Sequence, residues 1–388
     1  MDILYLTGIK GVQFRAFQSI AEQHHHNIHL IGGKREYRGN ENICLHEPNQ
    51  LLAKIRKRLS AYSIFHENYH IKKALPGILR TLEPDIIHAI GVNTWGFVAT
   101  ENRISFFPII VTCQGNDVYR YPFLRKRNFS RTRAALQKAD IVHVLSAFTA
   151  GYLADLFDIP TEKIITGYWG LDLEAIDALI GRIDRDQARK DLGFTKSDFV
   201  FFLPRGMRPE FRPVKDFILA IAPLVKESQA IKLILLMHGS DKKLDHDTRQ
   251  AVSHHGLENN VVFIDQFQPH SEIIKMFAVS DATVSIAEND ETCSAVLEAM
   301  YCGSIPILSN TPTYRDRFEN GTNVLFVNHS DPQEMYQRVK DTIANGSDIK
   351  MRMSSLNRQL IYRDYNREKN LPLIQKLYTT ACAKRRSF

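Results

Sequence analysis

Short, almost uninterrupted apolar runs alternate with longer amphipathic stretches along this chain. Asp2-Ile-Leu-Tyr-Leu6, Asn27–Ile31, Asp85–Ile90, Phe107–Thr112, Ile141–Leu145 and Lys163–Thr166 form a first series. Runs of this length predict strands covered on both faces, as in a parallel sheet. Between them Phe14–Gln23, Leu51–Leu59 and Ile71–Leu82 repeat apolar residues at helical spacing. Residues 173–197 are charged and helix-forming, with no strand pattern. A second series follows: Phe199–Leu203, Ile231–Met237, Val261–Ile264, Ala282–Ala287, Ile305–Leu308 and Val324–Val327. After Asp364, Leu371, Ile374, Leu377 and Tyr378 recur with helical spacing and predict a closing helix. Strand–helix alternation predicts the α/β class with parallel sheets. Two series of similar length, with no internal sequence repeat, predict two lobes with a cleft between them. The expected division is 1–175, 190–363 and a terminal segment 364–388.

Composition agrees with this picture and narrows it. A chain of 388 residues is too long for one ordinary core, and 44% apolar with 24% charged residues suits a globular protein. No apolar run approaches the roughly 18 residues of a membrane span. Met1-Asp-Ile-Leu-Tyr-Leu-Thr7 starts directly on a strand pattern and lacks the features of a signal peptide, so a cytoplasmic location is expected, at most at the inner face of a membrane. The five cysteines (Cys44, Cys113, Cys293, Cys302, Cys382) are scattered, without ligand spacing. The adjacent imidazoles of His24, His25 and His26 cannot all converge on one ion from a single turn. No metal or other cofactor is expected.

The formal charge of +7 is unevenly placed. Lys54, Arg56, Lys57, Arg58, Lys72 and Lys73 form one cluster. Arg120, Arg125, Lys126, Arg127, Arg131 and Arg133 form another, interleaved with Tyr119, Tyr121, Phe123 and Phe129. Cations mixed with aromatics suit an anionic membrane surface or an anionic acceptor, and a solvated basic face would read the same way. Nucleic-acid binding is a distant alternative and is not the expected partnership.

The densest chemistry lies in Asp290-Glu-Thr-Cys-Ser-Ala-Val-Leu-Glu298. A strand ending near Ala287 precedes it; Gly303, at a helix end, and the strand Ile305–Leu308 follow. One acid therefore hangs on a strand-to-helix loop and the other lies about two turns into the helix. Both face the carboxyl ends of a parallel sheet, where open α/β folds bind ligands. The helix start between them offers free N–H groups and partial positive charge to a diphosphate, while the acids suit hydroxyls. In Phe201-Phe-Leu-Pro-Arg205-Gly-Met-Arg208-Pro-Glu-Phe-Arg212-Pro-Val-Lys215 a strand end runs into a basic loop able to neutralise a leaving diphosphate. Gly8-Ile-Lys-Gly11, after the first strand, permits close backbone approach to a phosphate.

Glu298-Ala-Met-Tyr-Cys-Gly-Ser-Ile-Pro306, with an acid eight positions earlier, resembles the signature of retaining GT-B glycosyltransferases of family 4. That resemblance implies two Rossmann-like lobes facing a central cleft, with the last helix crossing back to the first lobe. It implies transfer of a sugar, in a retaining reaction, from a nucleoside diphosphate sugar to a glycan or lipid-linked acceptor of the cell envelope. On this pattern Glu298 holds the ribose, and Asp290 or Glu291 orients the donor sugar. Arg205 and Lys215 neutralise the diphosphate together with the amides around Thr292, Cys293 and Ser294, with Arg208 and Arg212 as rivals. Gly11 lies at the phosphates and Gln266 beside the base. Thr112-Cys-Gln114-Gly-Asn-Asp117 resembles the family's His-Gly-x-Asp with Gln114 replacing His, and Asp85-Ile-Ile-His88 resembles another family run; Gln114, Asp117 and His88 are thereby candidates for the acceptor, with a satisfied core histidine the other reading of His88 and a helix cap the other reading of Asp117. An inactive nucleotide-sugar-binding partner and a nucleotide-sugar epimerase of the same fold are the alternatives.

Overall fold

The computed structural model describes residues 1–7, 12–31, 43–45, 63–101, 107–209 and 213–384. Gly8, Gly11, Arg212, the helix expected over Leu51–Leu59 and the basic residues Lys54, Arg56, Lys57 and Arg58 lie outside this set. The chain divides into two compact units, Met1–Gly170 with Arg367–Phe388, and Leu171–Asn366.

In the first unit β1 (Asp2–Leu6), β2 (Asn27–Ile31), β3 (Ile43–Leu45), β4 (Ile86–Ile90), β5 (Ile109–Thr112), β6 (Ile141–Val144) and β7 (Ile164–Thr166) make a seven-stranded sheet. Its order is β3-β2-β1-β4-β5-β6-β7, and every pairing is parallel. The central strands are buried on both faces, which is why their sequences read as unbroken apolar runs. The terminal helix Arg367–Ala383 belongs to this unit and buries Ile374, Leu377, Tyr378 and Ala381.

A buried polar chain crosses this sheet. Tyr5 Oη lies 2.8 Å from Tyr378 Oη, which lies 3.2 Å from His88 Nδ1. His88 Nε2 is 2.7 Å from Thr112 Oγ1, Thr112 Oγ1 is 3.1 Å from His143 Nδ1, and His143 Nε2 is 2.9 Å from the Gly167 carbonyl. A carbonyl only accepts, so His143 Nε2 carries the proton and the direction of each remaining bond follows back to Tyr5. Burial keeps both imidazoles neutral at neutral pH, the condition under which this single direction holds. His88 is fully enclosed with both ring nitrogens occupied. Of the two readings of His88 the structure has the core histidine: it ties β4 to β5 and to the terminal helix.

In the second unit β8 (Phe199–Leu203), β9 (Ile231–Leu236), β10 (Val261–Ile264), β11 (Ala282–Ser285), β12 (Ile305–Ser309) and β13 (Leu325–Val327) make a six-stranded parallel sheet of order β10-β9-β8-β11-β12-β13. The chain winds outward in both directions from β8 and β11, so the strand order reverses between them. Doubly wound sheets bind ligands at the carboxyl ends of the strands at such a reversal. At the opposite edge Asp281 accepts from Arg185 and Arg189, both at 2.7 Å, and from the Val200 amide at 2.9 Å, fastening the helix Arg185–Asp191 to the sheet.

Candidate functional site

The loop after β11 carries Asp290–Cys293 and leads into the helix Ser294–Tyr301. This helix ends where the sequence places Gly303. The Gly303 amide bonds the Met300 carbonyl at 3.2 Å and the Ser304 amide bonds Ala299 at 3.0 Å. That double closure requires a left-handed residue, and Gly303 has φ +79°. At its start, Cys293 stands at the N-cap without a side-chain capping bond, and the first turn carries no acid. The partial positive charge of the helix start is left uncompensated by the helix's own side chains.

Arg205 comes from the loop after β8, across the reversal point. Its Nη1 donates to Asp290 Oδ2 at 3.0 Å and to Cys293 Sγ at 2.7 Å. Burial works against the guanidinium charge, but Asp290 outweighs it and Arg205 is held above its ordinary range. Asp290 accepts two further bonds: Tyr314 Oη donates to Oδ2 at 2.8 Å and the Glu291 amide to Oδ1 at 3.0 Å. Burial, with the Asp290 charge beside it, pushes the Tyr314 hydroxyl well above its usual range, so it stays a donor. Burial likewise raises the Cys293 thiol, which Arg205 offsets only in part. Cys293 is therefore a thiol rather than a thiolate at neutral pH.

Glu298 is buried, its side chain 7% exposed, and its Oε1 lies 2.9 Å from His270 Nε2. His270 opens the helix that follows β10 and is half exposed. Glu291 is also buried, and its Oε1 accepts from the Thr292 amide at 3.2 Å. Lys215 sits half-buried on the first turn of the helix Pro213–Glu227 and makes no ion pair among the described residues. The loops after β8 and β9 are laced together: the Met207 amide donates to Ser240 Oγ at 2.8 Å, and a Cβ at Gly206 would stand 3.1 Å from the His238 carbonyl. Arg208 is exposed, with its Nη2 over Gly239. Gln266 is exposed after β10, next to Phe267, whose ring lies 5.6 Å from that of His238.

The structure thus joins Arg205, Asp290, Cys293 and Tyr314 by direct contact, and Glu298 with His270. Tyr314 and His270 escape the sequence reading, since each comes from a different strand end. The one signal for both is position: Thr311-Pro-Thr-Tyr314 follows β12 and Pro269-His270 follows β10, on the same edge of the sheet. Among the described residues no group of three or more His, Cys, Asp or Glu side chains could hold a metal.

In the first unit Gln114 is exposed at the carboxyl end of β5, its Oε1 3.5 Å from where a Cβ on Gly91 would stand. Asp117 is buried, with Oδ1 accepting from the Gln114 amide at 2.9 Å and Oδ2 from the Val92 amide at 2.8 Å. Burial raises its carboxyl above the usual range. With both oxygens holding backbone, Asp117 is a strap that shapes the loops bearing Gln114 and Gly91.

The sequence signature described as Glycosyl transferases group 1 matches residues 184–363, and the one described as Glycosyltransferase Family 4 matches residues 21–175. This chain belongs to the group 1 glycosyltransferases of GT-B fold. The glycosyltransferase is 22% identical over 385 residues to an N-acetyl-alpha-D-glucosaminyl L-malate synthase of Bacillus anthracis, covering 96% of this chain and 93% of that one. Its fold is similar to that of a sucrose-phosphate synthase from Thermosynechococcus elongatus, at TM-score 0.79 and 16% identity, covering 99% of both chains. It is also similar to Anabaena HepE in complex with UDP-glucose, at TM-score 0.73 and 17% identity, covering 98% of this chain and 100% of that one.

Proposed function

We propose that this glycosyltransferase moves a sugar, with retention of anomeric configuration, from a nucleoside diphosphate sugar to a glycan or lipid-linked acceptor, and does so without a metal ion. The observation that carries the reading is the contact cluster at the strand reversal: the Arg205 guanidinium bonded to Asp290 and Cys293, beside a helix start with no acid in its first turn. Cations and helix amides suit a diphosphate, and Glu298 suits ribose hydroxyls. In this reading Lys215, free of ion pairs among the described residues, swings to the phosphates when donor enters. Thr292 and Ser294 lend backbone amides. Gln114 serves the acceptor as a hydrogen-bond group and cannot act as a proton carrier. The departing phosphate takes the acceptor's proton on the same face, so no side-chain base is required, and stabilisation of charge on the leaving group supplies most of the rate. UDP-sugars are the first choice of donor, supported by the UDP-glucose complex of HepE; the starch synthase IV catalytic domain bound to ADP keeps ADP-sugars in the screen.

Glu298→Ala and Lys215→Ala should each lower nucleotide release by roughly a hundredfold or more, the loss typical of removing one transition-state charge partner. Release should persist in excess EDTA. Proton NMR of the first product formed should show the donor's anomeric configuration. Undiminished turnover in both variants removes the site assignment, and an inverted product removes the retaining mechanism.

A further inference from the structure

Residues 120–133 belong to the first unit, whereas Arg205, Asp290 and Glu298 belong to the second, and the chemistry of this surface is unusual. Tyr121–Leu124 form a single 3-10 turn whose Pro122 is buried, while Phe123 and Leu124 stand 54% and 59% exposed. The helix Lys126–Lys138 begins directly after them. Its N-cap, Arg125, gives no side-chain hydrogen bond, and its first turn opens with Lys126 and Arg127 and has no acid. Cations at a helix start oppose the macrodipole, so helix stability does not explain them. An anion at that end would satisfy the free amides and the cations together.

Neighbouring charges sharpen the point. Between Asp117 and Asp140 the sequence has no acidic residue, and Asp117 is spent on backbone amides. Arg131 pairs with Glu101 at 2.5 Å and Arg133 pairs with Asp158. Arg125, Lys126 and Arg127 are exposed and, among the described residues, make no ion pair. Two exposed apolar side chains therefore abut three exposed cations in one continuous run, Phe123 to Arg127. Beneath this run a file of rings joins the tip to the fully buried Phe157. Phe123 contacts Phe129 (ring centroids 6.0 Å apart), Phe129 stacks on Phe157 at 4.9 Å, and Phe157 meets Tyr152 at 6.2 Å. Tyr152 lines a shallow groove of about 470 Å³ with Phe148 and Leu156.

An acidic protein or a nucleic acid would use the cations and leave Phe123 and Leu124 in water. A bilayer uses both: the apolar side chains enter the boundary between head groups and acyl chains, and the cations meet lipid phosphate. We propose that the turn Tyr121–Leu124 and the start of the helix Lys126–Lys138 form a docking tip for an anionic membrane surface, with Phe123 and Leu124 inserted and Arg125, Lys126 and Arg127 on the head groups. This goes beyond the transfer reaction and stands whether or not that reading holds.

The test uses the full chain and vesicles of phosphatidylglycerol mixed with phosphatidylcholine, against vesicles of phosphatidylcholine alone. The protein should sediment with the anionic vesicles and not with the neutral ones. Combined Arg125→Glu, Lys126→Glu and Arg127→Glu should weaken that binding roughly a hundredfold, and combined Phe123→Ser and Leu124→Ser roughly tenfold. Both variants should keep the wild-type circular dichroism and, in vesicle-free assays, wild-type nucleotide release. A Phe123→Trp variant should shift its emission to the blue on anionic vesicles only. Equal binding to neutral vesicles, full binding by the charge-reversed protein, no loss on removing Phe123 and Leu124, no blue shift, or binding to RNA with none to vesicles would each overturn the proposal.

Discussion

At the level of single residues, Asp290 depends on partners the sequence does not place beside it. Arg205 lies 85 residues away and Tyr314 lies 24 away, and both reach the same carboxylate oxygen. The acid spacing, the strand-end arginine and the helix-closing glycine were legible because each belongs to a local strand–loop–helix pattern. Tyr314 was not, because only the pairing of β11 with β12 brings its loop alongside. Nor was the enclosure of His88 and Asp117, since alternating polar residues on a strand or turn do not reveal what covers them. Tyr314 is fully buried and donates to a charged acceptor, a class of bond worth about 1.5–3 kcal/mol. Tyr314→Phe should cost this protein about 2 kcal/mol in urea unfolding. It should also lower turnover about tenfold, by loosening Asp290, with little change in KM for donor. Unchanged turnover at reduced stability would leave Tyr314 as packing only.

At the level of elements, the strands were legible and several helices less so. Buried parallel strands must be apolar on both faces, and twelve of the thirteen strands among the described residues appear as runs in the sequence, β3 being the exception. That strand is the three-residue edge Ile43-Cys-Leu45, too short to form a pattern. The helix Gly346–Asp364 was missed because its sequence, rich in Ser and Arg, carries only a weak apolar stripe. The closing helix was legible from its spacing, but what fastens it was not. Tyr378 Oη stands between Tyr5 Oη and His88 Nδ1, all three fully buried, with Tyr378 hundreds of residues from either partner. Tyr378→Phe removes the bond to His88 Nδ1 and one bond of Tyr5 Oη, and loss of a buried partner costs about 1–3 kcal/mol. The expected outcome is a urea midpoint lowered by the equivalent of about 3 kcal/mol, and faster tryptic cutting at Lys376. Identical cutting rates would mean that apolar packing alone holds the helix.

For the whole molecule, the same buried chain makes one unit sensitive to acid. Burial, with the neighbouring His143 adding to it, holds His88 well below the usual histidine range. Burial lowers His143 from 6.5 to about 4. A histidine depressed on folding contributes stability that is present above the unfolded value and is lost as pH falls, because the unfolded chain takes the proton first. The window opens near 6.5 and runs to about 4 for His143, further for His88. His143 alone is worth about 3 kcal/mol across it, at 1.36 kcal/mol per pH unit. Asp117, raised by burial, works the other way and returns some stability once pH falls through its folded value. Every described histidine of the second unit is exposed or partly so, and that unit has no counterpart. Both tryptophans, Trp95 and Trp169, belong to the first unit, and Trp169 is buried with its ring 5.9 Å from Phe17. Tryptophan emission therefore reports the first unit, while far-ultraviolet circular dichroism reports both. Between pH 7.5 and pH 5 the urea midpoint seen by emission should fall and separate from the later part of the dichroism transition. His143→Gln should flatten that dependence on pH. Midpoints that stay together and constant down to pH 5 would mean that the imidazoles of the first unit take up protons without opening the sheet they join.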